Sequence, residues 1–251
     1  MLTLSLAPAL ACASFAAKRA AFLQSESALE AWRFEAHEEY DRTKLPGSLP
    51  RGGVFANTEP LPVFTHFVER LAKGGLPSAI EPRVVYDGND FMILLNDKMP
   101  YADAYEALDQ PRSRAGMALV HLLAIPKARI YNAVTLQAKH KPLLHAMQTA
   151  AQALAQVDRW RLALLVRDVI ADKKSGNPAW LAKFDQDAAI FVNNTEPRLE
   201  FVFHVHGYDQ AGRWTGHSVG HLHMHCLVGP RTSMEDEGKN VQLAEVYDSL
   251  E

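Results

Sequence analysis

The chain has 251 residues, of which 48% are hydrophobic and 22% charged, with a formal net charge of −3. This is enough apolar material to bury a core, and the slightly acidic balance leaves no electrostatic footprint for a long nucleic acid, whereas a small phosphorylated ligand needs only local groups. Two cysteines, Cys12 and Cys226, cannot build a disulfide framework or a zinc ribbon, and they suit a reducing compartment.

The chain begins MLTLSLAPALACASFAAKRAAF, apolar and free of acidic residues until Glu26. No basic residue precedes the apolar stretch, so the expectation is a cytoplasmic protein, with organelle import or secretion the alternative if residues 1–24 are a targeting segment. No other stretch approaches the ~18 consecutive apolar residues of a membrane span, and no membrane partner is expected. Ser27 and Glu30 form a capping-box pattern, with Leu29, Trp32, Ala36 and Tyr40 at helical spacing, which predicts a packing helix over about 27–42. The Pro- and Gly-rich stretch LPGSLPRGGVFANTEPLP reads as an irregular connection. A short helix carrying Val63, Phe64, Phe67, Val68 and Leu71 follows, stopped at Gly74-Gly75. Residues 1–80 thus read as a partly helical N-terminal extension.

From Arg83 the texture changes. RVVYDGNDFMILLND holds two β-favouring runs around Asp87-Gly88-Asn89-Asp90, the chemistry of a hairpin. A polar stretch over 99–117 reads as an inserted surface loop, and ALVHLLAIP as a strand ended by Pro126, which cannot donate to a ladder. Leu143, Leu144, Met147, Ala150, Ala151 and Leu154 predict a helix over about 139–156, and RWRLALLVRDVIAD a second. LEFVFHVHG and SVGHLHMHCLVG alternate as an antiparallel pair of strands. The predicted class is α+β, an antiparallel sheet with a long helix, in a domain over 81–232 with a C-terminal tail at 233–251.

His221, His223 and His225 recur at every second position, so on a strand their imidazoles share one face, about 6–7 Å apart, while Leu222, Met224 and Cys226 face a core. Imidazole spaced in this way serves a metal centre. It also serves a nucleophilic site, because a neutral imidazole attacks phosphorus and an oriented neighbour donates a proton. The third reading is a set of surface histidines. His204 and His206 on the partner strand read as hydrated, and His37, His66, His140 and His145 as surface or helix-packing residues. Asn193-Asn194-Thr195 fits a glycosylation pattern that matters only in a secreted chain.

The run His221-Leu222-His223-Met224-His225-Cys226-Leu227 resembles the signature of the histidine-triad superfamily, and HLLAIPKARI and VVYDGNDFMILLND resemble its upstream strand and first hairpin. The likeness covers about 83–131 and 199–230. It implies a nucleotide hydrolase or nucleotidyl transferase that needs no metal or cofactor. Its substrate would be a purine nucleotide or nucleotide conjugate, such as a nucleoside phosphoramidate or dinucleoside polyphosphate, and a homodimer is expected by analogy. The resemblance makes His223 the nucleophile, His225 the contact to phosphate and leaving group, and His221 the steadying residue. It sets Ser218 and His217 beside the phosphate, Asn96 on the ribose hydroxyls and His121 near the site. Arg129 departs from the family pattern, standing where several members have histidine, and so does His217, where glutamine is usual. A binding protein without turnover, or a metal-dependent enzyme using the same histidines, are the alternatives.

Overall fold

The computed structural model describes residues 14–45, 61–75, 83–107, 109, 115–172, 178–194, 196–205, 219–232 and 240–250. Six strands form one sheet in the order β1-β2-β3-β5-β4-β6: β1 Val84–Asp87, β2 Phe91–Leu95, β3 Ala118–Pro126, β4 Leu199–His204, β5 Met224–Arg231 and β6 Asn240–Gln242. Each neighbouring pair is antiparallel. With the helices this is an α+β fold. The Asp87–Asp90 hairpin and the strand ending at Pro126 form as the sequence predicts, and β4 pairs with β5.

Every residue of β3 is buried, because this strand lies between β2 and β5 and both its faces are covered. Alternation separates the two faces. Leu122, Ala124, Cys226, Val228, Phe201 and Phe203 join the main core, to which α5 (Lys141–Val157) brings Leu144 and Met147, α6 (Arg159–Asp172) Leu162 and Val166, and α7 (Pro178–Asn193) Phe184 and Phe191. The opposite face carries His121 and His225, and α3 (Val63–Ala72) covers part of it, packing Val68, Phe64 and Leu71 on Met92, Leu94, Leu123 and Ile125. Leu122 is fully buried at the centre of the sheet. Leu122→Ala is expected to cost about 2–5 kcal/mol, read as a lower urea midpoint at unchanged slope.

Several sequence expectations are corrected. The helix read over 27–42 is α2, Glu26–Glu35, preceded by α1, Phe15–Leu23. It ends early because His37 adopts a left-handed backbone, φ 61°. The capping box does not form either. Ser27 donates to the Lys44 carbonyl and the Glu30 carboxylate accepts the Asp41 N–H at 2.6 Å, closing the following loop. The stretch read as a surface loop holds a short helix, α4 (Ala102–Glu106), and buries Met99, Tyr101, Ala104 and Tyr105. Helix α7 was not foreseen, and residues 240–250 carry β6 and α8 (Leu243–Asp248), whose Val246 is fully buried.

The histidine run is also corrected. Strand β5 begins at Met224, so His225 lies in the strand while His221 and His223 precede it. The ladder pairs Met224 with Ala124, a register that sets Leu222 opposite Pro126, which has no N–H to offer the Leu222 carbonyl. The Leu222 N–H donates to the Ile130 carbonyl, 2.7 Å away, and the Pro126 carbonyl accepts from His221 Nε2. Leu222, Met224 and Cys226 still enter the core, as the alternation predicts.

Candidate active site

The three histidines of the run are almost fully withdrawn from solvent, His223 being the most accessible at 9%. Burial disfavours the charged imidazole, and it holds His221 and His223 down to about 4 and His225 and His121 well below the ordinary range. At physiological pH all four rings are neutral. Each neutral ring has one N–H and one lone pair, and the hydrogen bonds decide which nitrogen has which.

In His221, Nε2 lies 2.9 Å from the Pro126 carbonyl, which can only accept, so the proton is on Nε2. Nδ1 is therefore an acceptor and takes the Thr65 hydroxyl at 2.7 Å. The His221 carbonyl in turn accepts the Nδ1–H of His223 at 2.8 Å. That bond assigns the lone pair of His223 to Nε2, the nitrogen farther from the main chain.

His225 is set from the other side. The Met117 backbone N–H and the Asn96 amide both donate to His121 Nδ1, at 3.4 and 3.1 Å. A backbone N–H cannot be flipped as a side-chain amide can, so the Met117 contact alone fixes Nδ1 as acceptor. The Nε2–H of His121 then donates to His225 Nδ1 at 2.8 Å, which leaves the His225 proton on Nε2. This N–H is buried and meets no acceptor among the described residues. Ring centroids of His223 and His225 are 4.9 Å apart. A lone pair on one imidazole thus neighbours a donor on the next.

The N-terminal helices close over this arrangement. Phe64 presents its ring edgewise to His223, centroids 5.0 Å apart, and Phe34 of α2 does the same to His221 at 6.5 Å. Arg129, the departure from the family pattern, donates Nε and Nη2 to Glu69 of α3 at 2.9 and 2.5 Å and lies 5.6 Å from the Phe34 ring centre. It clasps α2 and α3 beside the triad. Glu35, next to Phe34, accepts the Tyr131 N–H at 2.7 Å and the Thr135 hydroxyl at 2.5 Å, and burial raises its pKa to about 7.

Glu35 and the triad oppose each other in pH. Between 4.5 and about 7 the folded chain holds a proton on Glu35 that the unfolded chain releases, so this group makes stability fall as pH rises. His221 and His223 bind protons in the unfolded chain from 6.5 downward but in the folded chain only near 4, so they make stability rise with pH over that window. Glu35→Gln keeps an acceptor for Tyr131 and removes the carboxylate. The variant is expected to match the wild type near pH 4.5 and exceed it by about 2–3 kcal/mol at pH 8, measured by urea unfolding across pH.

His121, Asn96 and His225 thus meet in one chain of hydrogen bonds, and His221 and His223 in another. Ser218, His217 and His206 lie outside the described residues. The amide of Asn96 is engaged with His121. His204, read from sequence as hydrated, stacks on His225 with ring centroids 3.9 Å apart. Sequence reasoning missed Thr65 and Phe64; the available signal was a polar threonine on the same helical stripe as Val68, with nothing local to name its partner. No group of three or more His, Cys, Asp or Glu side chains among the described residues is placed to hold a metal ion. Likewise no helix among them is long and apolar enough to cross a membrane.

No family model matches the sequence, and no curated protein matches it. Among solved structures the chain is similar to a HIT family hydrolase from Legionella pneumophila Philadelphia 1, at 18% identity and TM-score 0.34, over 68% of this chain and 95% of that one. It is similar to a Hit-like protein involved in cell-cycle regulation from Bartonella henselae, at 13% identity and TM-score 0.33, over 77% and 93%. A further Hit-like protein matches at 18% identity and TM-score 0.29, over 68% of this chain and 100% of that one.

Proposed function

We propose that this chain is a nucleotide hydrolase or nucleotidyl transferase that acts at the α-phosphorus of a nucleoside phosphoramidate or dinucleoside polyphosphate, with His223 as nucleophile. The observation that supports it best is the bond from His223 Nδ1–H to the His221 carbonyl, which leaves the lone pair on Nε2 of a ring that burial keeps neutral. An imidazole held in this tautomer needs no base to activate it.

In the first step Nε2 forms a bond to phosphorus while the bond to the leaving group breaks, an amine taking its proton from solvent and a phosphate leaving as the anion. The buried Nε2–H of His225 supplies the donor for the leaving atom or a nonbridging oxygen. In the second step water attacks phosphorus and releases a proton to solvent, the P–N bond to His223 breaks with its electron pair returning to Nε2, and a nucleoside monophosphate departs while the ring regains its neutral form. Splitting the displacement in two replaces one difficult transfer by two easier ones. A preorganised donor such as His225 carries the developing charge.

The test is steady-state hydrolysis of adenosine phosphoramidate and of a dinucleoside polyphosphate by the full chain, with and without a metal chelator. Release of adenosine monophosphate at an unchanged rate in chelator is expected. Tight nucleotide binding without product would make the chain a binding protein, and turnover abolished by chelator would make it a metal enzyme; either overturns the proposal.

A further inference from the structure

We infer that helix α3 belongs to the catalytic apparatus and that its Thr65 is a positioning residue for the nucleophile; the role rests on the reaction proposed at His223. Thr65 and His221 are both fully buried and lie 156 residues apart in sequence. The Thr65 hydroxyl proton is committed to His221 Nδ1. Its hydroxyl acts through the ring it holds.

The order of contacts is short. Thr65 Oγ1–H donates to His221 Nδ1, His221 Nε2–H donates to the Pro126 carbonyl, and the His221 carbonyl accepts from His223 Nδ1–H. His221 is thus gripped at both nitrogens, which anchors its side chain and, through Cα, limits how far its backbone carbonyl can move. That carbonyl is what keeps the His223 proton on Nδ1 and its lone pair on Nε2. Remove the hydroxyl, and a buried acceptor is left without a partner. The ring then loses one of its two anchors, and the His221 backbone, no longer tethered as firmly through its side chain, can shift the carbonyl that selects the His223 tautomer.

A second set of contacts makes α3 more than an incidental neighbour. Glu69, one turn beyond Thr65, takes both donors of Arg129, and Phe64, the residue before Thr65, sets its ring edge against His223. Val68 joins these to the sheet through Met92, Leu94, Leu123 and Ile125. The helix is therefore held at an ion pair and an apolar patch, and from there it delivers Thr65 to His221 and Phe64 to His223. A segment of the N-terminal region completes a site whose other members come from the sheet and the segments flanking its strands.

The experiment uses the full chain as wild type, Thr65→Val, Thr65→Ala and Thr65→Ser. Histidine ¹⁵N chemical shifts report the tautomers, and hydrolysis of adenosine phosphoramidate reports kcat and KM. In the wild type, His221 is expected as the Nε2–H form and His223 as the Nδ1–H form. Thr65→Val should shift the His221 Nδ1 signal toward that of an unbonded ring nitrogen and move His223 toward a mixture of tautomers. With it kcat should fall about 10- to 100-fold, the scale of a misplaced reacting group, at a KM within about two-fold of wild type.

Thr65→Ser, which keeps the hydroxyl, should restore both readouts. Thr65→Ala preserves helix propensity and repeats the test should the valine variant fail to fold. Unchanged His223 shifts in the valine or alanine variant, or a loss of kcat that serine does not rescue, would overturn the inference. Absence of hydrolysis by the wild type would overturn the proposed reaction instead, and the tautomer shifts would still decide whether Thr65 governs His223.

Discussion

His223→Ala is expected to lower turnover of adenosine phosphoramidate by at least about 10⁴-fold, while nucleotide affinity stays within a few-fold of wild type. The size follows from what is removed. A covalent route depends on its nucleophile, and without it only positioning and charge stabilisation remain, which in nucleophilic hydrolases leaves a small residual rate. His223 is 9% exposed and donates one hydrogen bond to the His221 carbonyl, so its truncation leaves a small void beyond the start of β5 and the main core untouched. Affinity is read by calorimetry with adenosine monophosphate, turnover by product release, and folding by thermal melting. A variant that retains a tenth or more of wild-type kcat would show that His223 is not the attacking group.

His121→Ala should lower kcat by about 10²–10³-fold, the usual loss when a preorganised donor fails, although His121 does no chemistry itself. Its Nδ1 is an acceptor for Met117 and Asn96, so its Nε2–H must face His225 Nδ1. Without it the His225 proton is free to sit on either nitrogen, and the Nε2–H that the leaving group needs is present in only part of the molecules. The loss should shrink with a leaving group acidic enough to depart unprotonated, such as a nitrophenolate ester of the same nucleotide. Equal losses on good and poor leaving groups would show that His225 serves a nonbridging oxygen alone.

How much of this could be read in the sequence depends on the range of each interaction. The hairpin at Asp87–Asp90, strand β3 up to Pro126, the core-facing Leu222, Met224 and Cys226 and helices α5 and α6 all follow from patterns within a dozen residues. Helix α7 had such a pattern in Phe184, Ala188 and Phe191, which recur at i, i+4 and i+7. The early end of α2 did not, because it reflects the bond from Asp41 to Glu30 and the backbone of His37.

The site divides in the same way. Alternation brought His221, His223 and His225 to attention, yet the break before Met224 depends on Pro126 across the sheet. Met117 lies only four residues from His121, but the tautomers also depend on Thr65 and His121, which are 156 and 104 residues from their partners His221 and His225. Arg129 read as a missing histidine; its pairing with Glu69 gives it a place holding α3 to the triad.

The central claim is that nucleotide passes through a covalent bond to His223, and the most direct measurement is intact mass spectrometry of the full chain. Protein mixed with adenosine phosphoramidate is quenched in neutral denaturant within one turnover, since the phosphorus–nitrogen bond does not survive acid. The account predicts a mass increase of one adenylyl group, located on the peptide containing His223, absent from His223→Ala and unaffected by chelator. Turnover without any adduct, with inversion at phosphorus, would contradict it.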